Sequence, residues 1–322
     1  MKLNQLMALL VALATIHSSA FAQSGSAYPS RPITVIVPMS PGGTADLLAR
    51  NLAPLLTEKL GQSVVIDNRM GANGAIGEEF FSRAKPDGYT LMLESTSIAT
   101  NPWMSNLSYD PRKAFTPAIL IAAVPLVLVV NNNVNAQTAK EFISLAKANP
   151  GQYNYASAGN GSASHLAMAY FDSMAGIDLV HIPTKGTGDA IAELLAGRAQ
   201  AVIAANVAAL PFANDPRIRF LGVSSEKPSP FVPGVPPIGN TLKGYVFDSW
   251  FGLLAPAGTP QEIIVKMQSQ MAKLLKQPEI VERMRRQGIE IGRLTPNEFN
   301  QLLVGDYVRM AKVVKASGAK PD

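Results

Sequence analysis

Apolar and polar positions along this chain switch repeatedly between two periods. "ITVIVP" (33–38) is an uninterrupted apolar run of strand length, while "ADLLARNLAPLLTEKLG" (45–61) repeats apolar residues at helical spacing and stops at Gly61. "SVVIDN" (63–68) predicts a second strand, "AIGEEFFSRAK" (75–85) a helix after a glycine-rich turn, and "YTLMLES" (89–95) a third strand. This βαβαβ opening predicts a mostly parallel sheet with helices on both faces.

A long apolar pair follows, "FTPAILIAAVPLVLVV" (115–130), interrupted by Pro125. The alternation then restarts, with helices over 138–148, 163–175 and 188–197 and strands over 153–157, 178–183, 199–205 and 217–225. After a proline-rich loop (228–237), "SWFGLLAPAGTP" (249–260) leads into two or three helices that finish the chain. An alternation that runs twice, with a crossing near 125 and a return near 248, predicts two α/β domains with a hinge and an interdomain ligand cleft. The first domain is discontinuous, 23–124 plus 248–322, and the second, 125–247, is inserted.

The N-terminus changes the picture of where such a fold works. Lys2, the apolar core "LMALLVALAT" (6–15) and the small residues of "AFA" (20–22) form the pattern of a secretory signal peptide over 1–22, with cleavage before Gln23. No later segment has the twenty or so uninterrupted apolar residues of a membrane helix. An exported, soluble chain is expected. The absence of cysteine excludes thiol nucleophiles, Cys-ligated zinc and iron–sulfur chemistry. A formal net charge of +5, aromatics at 7% and no long basic stripe argue against a nucleic-acid partner. The densest basic cluster, "ERMRRQG" (282–288), reads as the solvated face of a helix, and the mild positive excess favours a small anionic ligand.

Two loops share one plan. "PMSPGGTAD" (38–46) and "SAGNGSASH" (157–165) each turn sharply on glycines into a helix, with Thr44, Ser162 and Ser164 as candidate caps. The first carries neither the lysine of a Walker loop nor the third glycine of a dinucleotide fingerprint. Helix N-terminal amides attract anions without either. Glycine with Ser or Thr is also simply how strands become helices, but two such loops at matching places, one per domain, point to a ligand with an anionic group at each end. Asp46 lies in the first turn, where a carboxylate suits the helix dipole with or without a ligand. "STS" (95–97) and "TKG" (184–186) follow strand ends and are expected to line the same cleft, with Lys185 as a counter-charge. Trp103 and Trp250 read as packing residues. Catalysis has little to draw on, since the histidines after the leader are His165 and His181, with no H-E-x-x-H, no G-x-S-x-G and no metal-ligand spacing. Ser162 and His165, one helical turn apart, leave a Ser–His hydrolase as an alternative. No cofactor or metal is called for.

Seven separated motifs then coincide with one family. "YPSRPITVIVPMSPGGTADLLAR", "VIDNRMGANGAIG", "PDGYTL", "YDPRKAFTP", "ANPGQYNYASAGNGSASHLA", "MAGIDLVHIPTKG" and "WFGLLAPAGTP" together resemble the Bug family, the extracytoplasmic solute receptors of tripartite tricarboxylate transporters. The resemblance implies a type II periplasmic binding protein fold, capture of a small carboxylate and delivery to membrane permease subunits. It implies carboxylate-binding groups at Gly42, Gly43 and Thr44, with Asp46 beside them, and at Ser157, Ala158, Gly159, Gly161, Ser162 and His165 in the inserted domain. Ser40, Ser95, Thr96, Thr184, Lys185 and Asn206 complete the expected cleft lining. Two departures bear on the ligand. Thr184 replaces a common aromatic, and "IAANVAAL" (203–210) has Ala204, Ala205 and Asn206 where a strand end is often acidic. Both disfavour an amino-acid ligand and leave room for a bulkier, even aromatic, dicarboxylate. The expectation is a monomeric periplasmic receptor without enzymatic activity, with a ligand-presenting sensor partner of a membrane signalling protein as the alternative.

Overall fold

The computed structural model describes residues 28–292 and 294–318, and the expected signal peptide lies outside them. The strands are β1 (Ile33–Val37), β2 (Val64–Asn68), β3 (Thr90–Ser95), β4 (Phe115–Val124), β5 (Leu126–Asn131), β6 (Tyr153–Ser157), β7 (Leu179–Pro183), β8 (Ala201–Ala205), β9 (Ile218–Val223), β10 (Ser249–Pro256) and β11 (Glu290–Ile291). Helices of eight residues or more are α1 (Thr44–Leu60), α2 (Ala75–Ser82), α3 (Ser97–Met104), α4 (Ala139–Ala148), α5 (Ala163–Ala175), α6 (Thr187–Leu195), α7 (Gln261–Leu274), α8 (Pro278–Arg286) and α9 (Pro296–Ser317). Helix α1 ends at Gly61 in the left-handed conformation, as its periodicity predicts. The pattern misses α3, because "STSIATNPWM" carries no apolar period and contains Pro102.

Six strands form one sheet in the order β11-β4-β10-β3-β1-β2, and five form a second in the order β7-β6-β8-β5-β9. The sheets are mixed rather than mostly parallel. β1 lies parallel to β2 and β3, but β10 runs against both β3 and β4. Likewise β6 lies parallel to β7 and β8, but β5 runs against β8 and β9. The reason is connectivity. β5 and β10 each enter their sheet from the edge where the chain crosses, so each opposes the βαβ strands.

This topology also decides where the strand ends lie. β4 ends at Val124 and β5 starts at Leu126, so the outward crossing is a single residue, Pro125. Ser249 of β10 pairs with Val124, Phe251 pairs with Ser95, and Leu126 pairs with Ala205. The carboxyl ends of β1 and β3 in one sheet, and of β6, β7 and β8 in the other, therefore all lie on the edge that faces the crossings. That is the ligand side of an open α/β sheet.

Ser224, fully buried just past β9, ties the two crossing segments together. Its N–H donates to Leu126 O at 2.8 Å, its Oγ accepts from Leu126 N–H at 2.8 Å and donates to Asp248 Oδ1 at 3.0 Å, and its carbonyl accepts from Phe247 N–H at 3.0 Å. Helix α9 then spans both units, packing on α3 and β4 of one and on α5 of the other. Phe299 of α9 sits on Gly252 so closely that any β-carbon there would collide with the ring. The buried Trp250 donates its indole N–H to Asp306 Oδ2 at 2.6 Å, and Arg309 pairs with Asp306 at 2.7 Å while donating to Val246 O at 2.8 Å. Trp250 packs as expected, whereas Trp103 is 43% exposed and is not a core residue. Among the described residues no helix is long and apolar enough to cross a membrane.

The Ser224 bonds give a direct expectation. Ser224→Ala strands the Leu126 N–H and the Asp248 carboxyl in a buried site, and should lower unfolding stability by about 1–3 kcal/mol with an unchanged urea m-value.

Candidate functional site

The first loop is organised by Asp46. The residue is 2% exposed, yet both carboxylate oxygens are satisfied. Oδ2 accepts from Gly42 N–H at 2.9 Å, Arg50 Nε donates to Oδ1 and Oδ2 at 2.9 and 3.0 Å, and Asn68 Nδ2 donates to Oδ1 at 3.0 Å. Burial alone would push this carboxyl up, but Arg50, the Gly42 N–H and Asn68 together hold it below the usual range. Asn68 also donates to Met39 O at 3.1 Å, fixing the loop from the neighbouring strand. Two expected donors are thereby spent. Gly42 N–H goes to Asp46, and Gly43 N–H goes to Ser40 O at 3.2 Å. Nor does Thr44 cap the helix. Gly43 is the N-cap and offers no side chain, so Thr44 becomes the first helical residue. The first intrahelical bond runs from Leu47 N–H to Gly43 O, which leaves the N–H groups of Thr44, Ala45 and Asp46 without an acceptor among the described residues. Ser40 is exposed, with its hydroxyl against Met70 Sδ.

The second loop is tied more tightly still. Ala158 N–H donates to Ser164 Oγ at 2.8 Å, Gly159 N–H to Ser157 Oγ at 3.1 Å, and Gly161 N–H to His165 Nδ1 at 3.1 Å. Ser162 is the N-cap of α5, accepting from His165 N–H at 3.3 Å and donating to Gly159 O at 2.7 Å. Ala163 and Ser164 N–H precede the first intrahelical bond and have no acceptor among the described residues. Thr184 Oγ1 lies 2.8 Å from Ser157 O and 2.9 Å from Gly186 O, so this hydroxyl braces the loop from β7. Lys185 is exposed and makes no ion pair among the described residues.

A Ser–His nucleophile is not assembled. The His165 ring turns to Gly161, and Ser162 touches only the main-chain N–H of that histidine. The close Ser–His contact is Ser157 Oγ to His181 Nε2 at 2.6 Å, with Ser157 fully buried. His165 and His181 instead stack at 4.1 Å, with Tyr155 stacked on His181 at 4.7 Å. Accepting the Gly161 N–H requires a neutral His165 ring, and burial followed by the His181 charge pushes its pKa down to about 4. Burial lowers His181 as well.

Between the loops, the end of β3 adds a feature that the sequence pattern hides. Glu94 is fully buried inside an apolar strand, and its Oε1 accepts from Ser95 N–H at 2.6 Å and Ser97 Oγ at 2.7 Å. Glu78, also buried, accepts from Asn101 Nδ2 and Tyr109 OH, both at 2.6 Å. Burial raises both carboxyls above the usual range, and the charge of Glu94 raises Glu78 further. A lone glutamate within "YTLMLES" was the available signal. Thr96 Oγ1 accepts from Trp250 N–H at 2.9 Å, joining this floor to the return crossing. Asn206, at the end of β8, is fully buried with neither amide atom hydrogen-bonded.

Two contacts bring the edges together. A β-carbon at Gly161, where φ is +71°, would sit 3.1 Å from Met104 Cε of the other unit, so only glycine fits this turn comfortably. Asn206 Oδ1 lies 3.5 Å from the corresponding position of Gly288, again across the two units.

Residues 48–319 match the sequence model of the tripartite tricarboxylate transporter family receptor. The chain belongs to this receptor family. BugT of Bordetella pertussis is 34% identical over 324 residues, covering 99% of each chain. Among solved structures, R. palustris Rpa4515 with adipate is 33% identical at a TM-score of 0.78, covering 92% of this chain and 100% of that one. MatC from Rhodopseudomonas palustris with bound malate is 29% identical at 0.74, covering 89% and 100%. The receptor thus has the two-domain periplasmic binding fold, and it is a solute-binding protein rather than an enzyme. Receptors of this family are periplasmic.

The stacked histidines carry a pH signature. A folded-state pKa of about 4 at His165 means that the unfolded chain takes up its proton first. The stability contributed by the neutral ring is full above about pH 6.5 and is lost as pH falls towards 4. In calorimetry over this interval, the melting temperature of the wild type should fall more steeply than that of His165→Asn.

Proposed function

We propose that this receptor captures a small dicarboxylate between two units, 23–124 with 248–322 and 125–247, that close about the crossings at Pro125 and Asp248. Residues 1–22 would direct its export, and permease subunits of a tripartite tricarboxylate transporter would receive the ligand. The observation that carries this function is the open end of α1. Three N–H groups, on Thr44, Ala45 and Asp46, are left without acceptors on the crossing-facing edge. Their positive field is not cancelled by Asp46, whose charge is taken up by Arg50. A carboxylate held there takes charge-assisted bonds worth on the order of 1.5–3 kcal/mol each. The opposite unit offers the Ala163 and Ser164 N–H groups and the unpartnered amide of Asn206 for the far end of the ligand. Adipate and malate, named with two related structures, each carry a carboxylate at both ends.

Ligand choice within that class turns on the middle of the cleft. Thr184 braces main chain where the family commonly has an aromatic ring, and no acidic side chain follows β8 at Ala205 and Asn206. Both favour a bulkier or aromatic dicarboxylate.

Calorimetric titration of the exported chain with mono-, di- and tricarboxylates tests this function. A dicarboxylate present at a hundred times its Kd should stabilise the protein by about 2.7 kcal/mol. Asn206→Leu should weaken that binding about tenfold while preserving the fold, a loss of about 1.4 kcal/mol. Binding confined to monocarboxylates or neutral solutes would refute the two-ended clamp.

A further inference from the structure

The serines at the end of β3 have a hydrogen inventory that bears on which dicarboxylate fits. Ser97 Oγ donates its hydrogen to Glu94 Oε1 at 2.7 Å. Ser95 Oγ lies 2.8 Å from Ser97 Oγ and 3.3 Å from Glu94 Oε1, and it accepts from Ser97 N–H at 3.2 Å. Because the Ser97 hydrogen is committed to Glu94, the Ser95–Ser97 contact has Ser95 as its donor. Both hydroxyl hydrogens thus point inward. What Ser97 keeps for a ligand is a single lone pair. Ser97 is also the half-buried member of the group, whereas Ser95 and Glu94 are buried.

The protonation state of Glu94 does not change this. Oε1 already receives the Ser95 N–H at 2.6 Å, so any proton that burial retains belongs on Oε2, which has no partner. Oε1 remains an acceptor for Ser97 in either state. Around it lie Glu78 on α2, Tyr109, Tyr307 on α9 with an unpartnered hydroxyl, and Trp250 on β10, which is tied to Thr96. Among these residues no cation faces the pair, so nothing competes with the serines for Oε1.

We propose that Glu94 is a positioning residue that makes Ser97 an obligate hydrogen-bond acceptor, so that the site selects dicarboxylates bearing a hydroxyl group over their unsubstituted parents. This rests on the dicarboxylate function proposed above and adds the polarity of one subsite. A bare methylene facing Ser97 would leave a lone pair desolvated and unmatched, whereas a donor would satisfy it. A carboxylate oxygen in that position would be repelled.

Matched ligand sets test this by calorimetric titration: succinate with malate and aspartate, adipate with 2-hydroxyadipate and 2-aminoadipate, and terephthalate with 2-hydroxyterephthalate. In the set of the length that binds, the hydroxyl-bearing member should bind about tenfold more tightly than its parent, and the ammonium-bearing member, with no acidic side chain after β8 to pair with, should gain less. Glu94→Leu removes the acceptor that holds the Ser97 hydrogen inward and frees it to turn outward, and Ser97→Ala removes the ligand-facing acceptor. In each variant the ratio of hydroxyl-bearing to parent affinity should fall to near one. An unchanged ratio in folded Ser97→Ala, or equal wild-type affinities for parent and hydroxyl-bearing ligand, overturns this inference and leaves dicarboxylate capture standing. If no member of any set binds, the proposed function itself fails and this inference falls with it.

Discussion

The molecule depends on how its chain passes twice between two sheets. Pro125 provides the outward passage in a single residue, and the return runs through Phe247 and Asp248. Two unsupported strands side by side would leave main-chain groups unpaired in a buried place, which proteins rarely tolerate. Ser224 resolves this by offering N–H, C=O and hydroxyl to two acceptors and two donors, on Leu126, Phe247 and Asp248 of the two passages. Because both passages enter the sheets from one edge, they fix which edge the carboxyl ends of the βαβ strands share. Site geometry is thus a consequence of connectivity before any site residue is considered.

Within the loops on that edge, hydrogen-bond economy decides what is left for a ligand. The glycine-rich loops look like collections of free N–H groups, but most of those groups are consumed locally. Asp46 takes Gly42, Ser164 takes Ala158, Ser157 takes Gly159, and the His165 ring takes Gly161. Spending these donors holds each loop in one conformation, which lowers the ordering cost that a ligand would otherwise bear. The remaining donors are the ones that no turn can satisfy, in the first turns of α1 and α5.

This explains what the sequence made legible. Periodicity located α1, α4, α5 and most strands to within a residue or two, because each buries one face against a sheet. It could not see β5 and β10 running against their neighbours, since strand direction is a property of where the chain enters. Residue types nominated Asp46 and His165, but their work is internal: one organises Gly42, Arg50 and Asn68, the other accepts from Gly161. Thr44 fits a cap by residue type, yet Gly43 holds that place and leaves the helix end bare, since chain pattern alone does not tell an N-cap from the residue after it. Glu94 stayed hidden because a strand with one carboxylate still reads as a strand.

Three buried carboxyls close to a proposed anion site seem at first to oppose its function. Two different devices limit their negative field. Asp46 stays ionised because Arg50 supplies the opposite charge and Gly42 and Asn68 supply donors, so its field is local. Glu78 and Glu94 have no cation among their hydrogen-bond partners, and burial raises both, so each holds less charge near neutral pH than a solvated carboxylate would. An incoming carboxylate adds negative potential and can only favour their protonated forms further. The same residues would repel an anion if they were solvated and ionised. Buried as they are, they furnish oriented acceptors with reduced charge, which lets a receptor for anions carry acid in its floor.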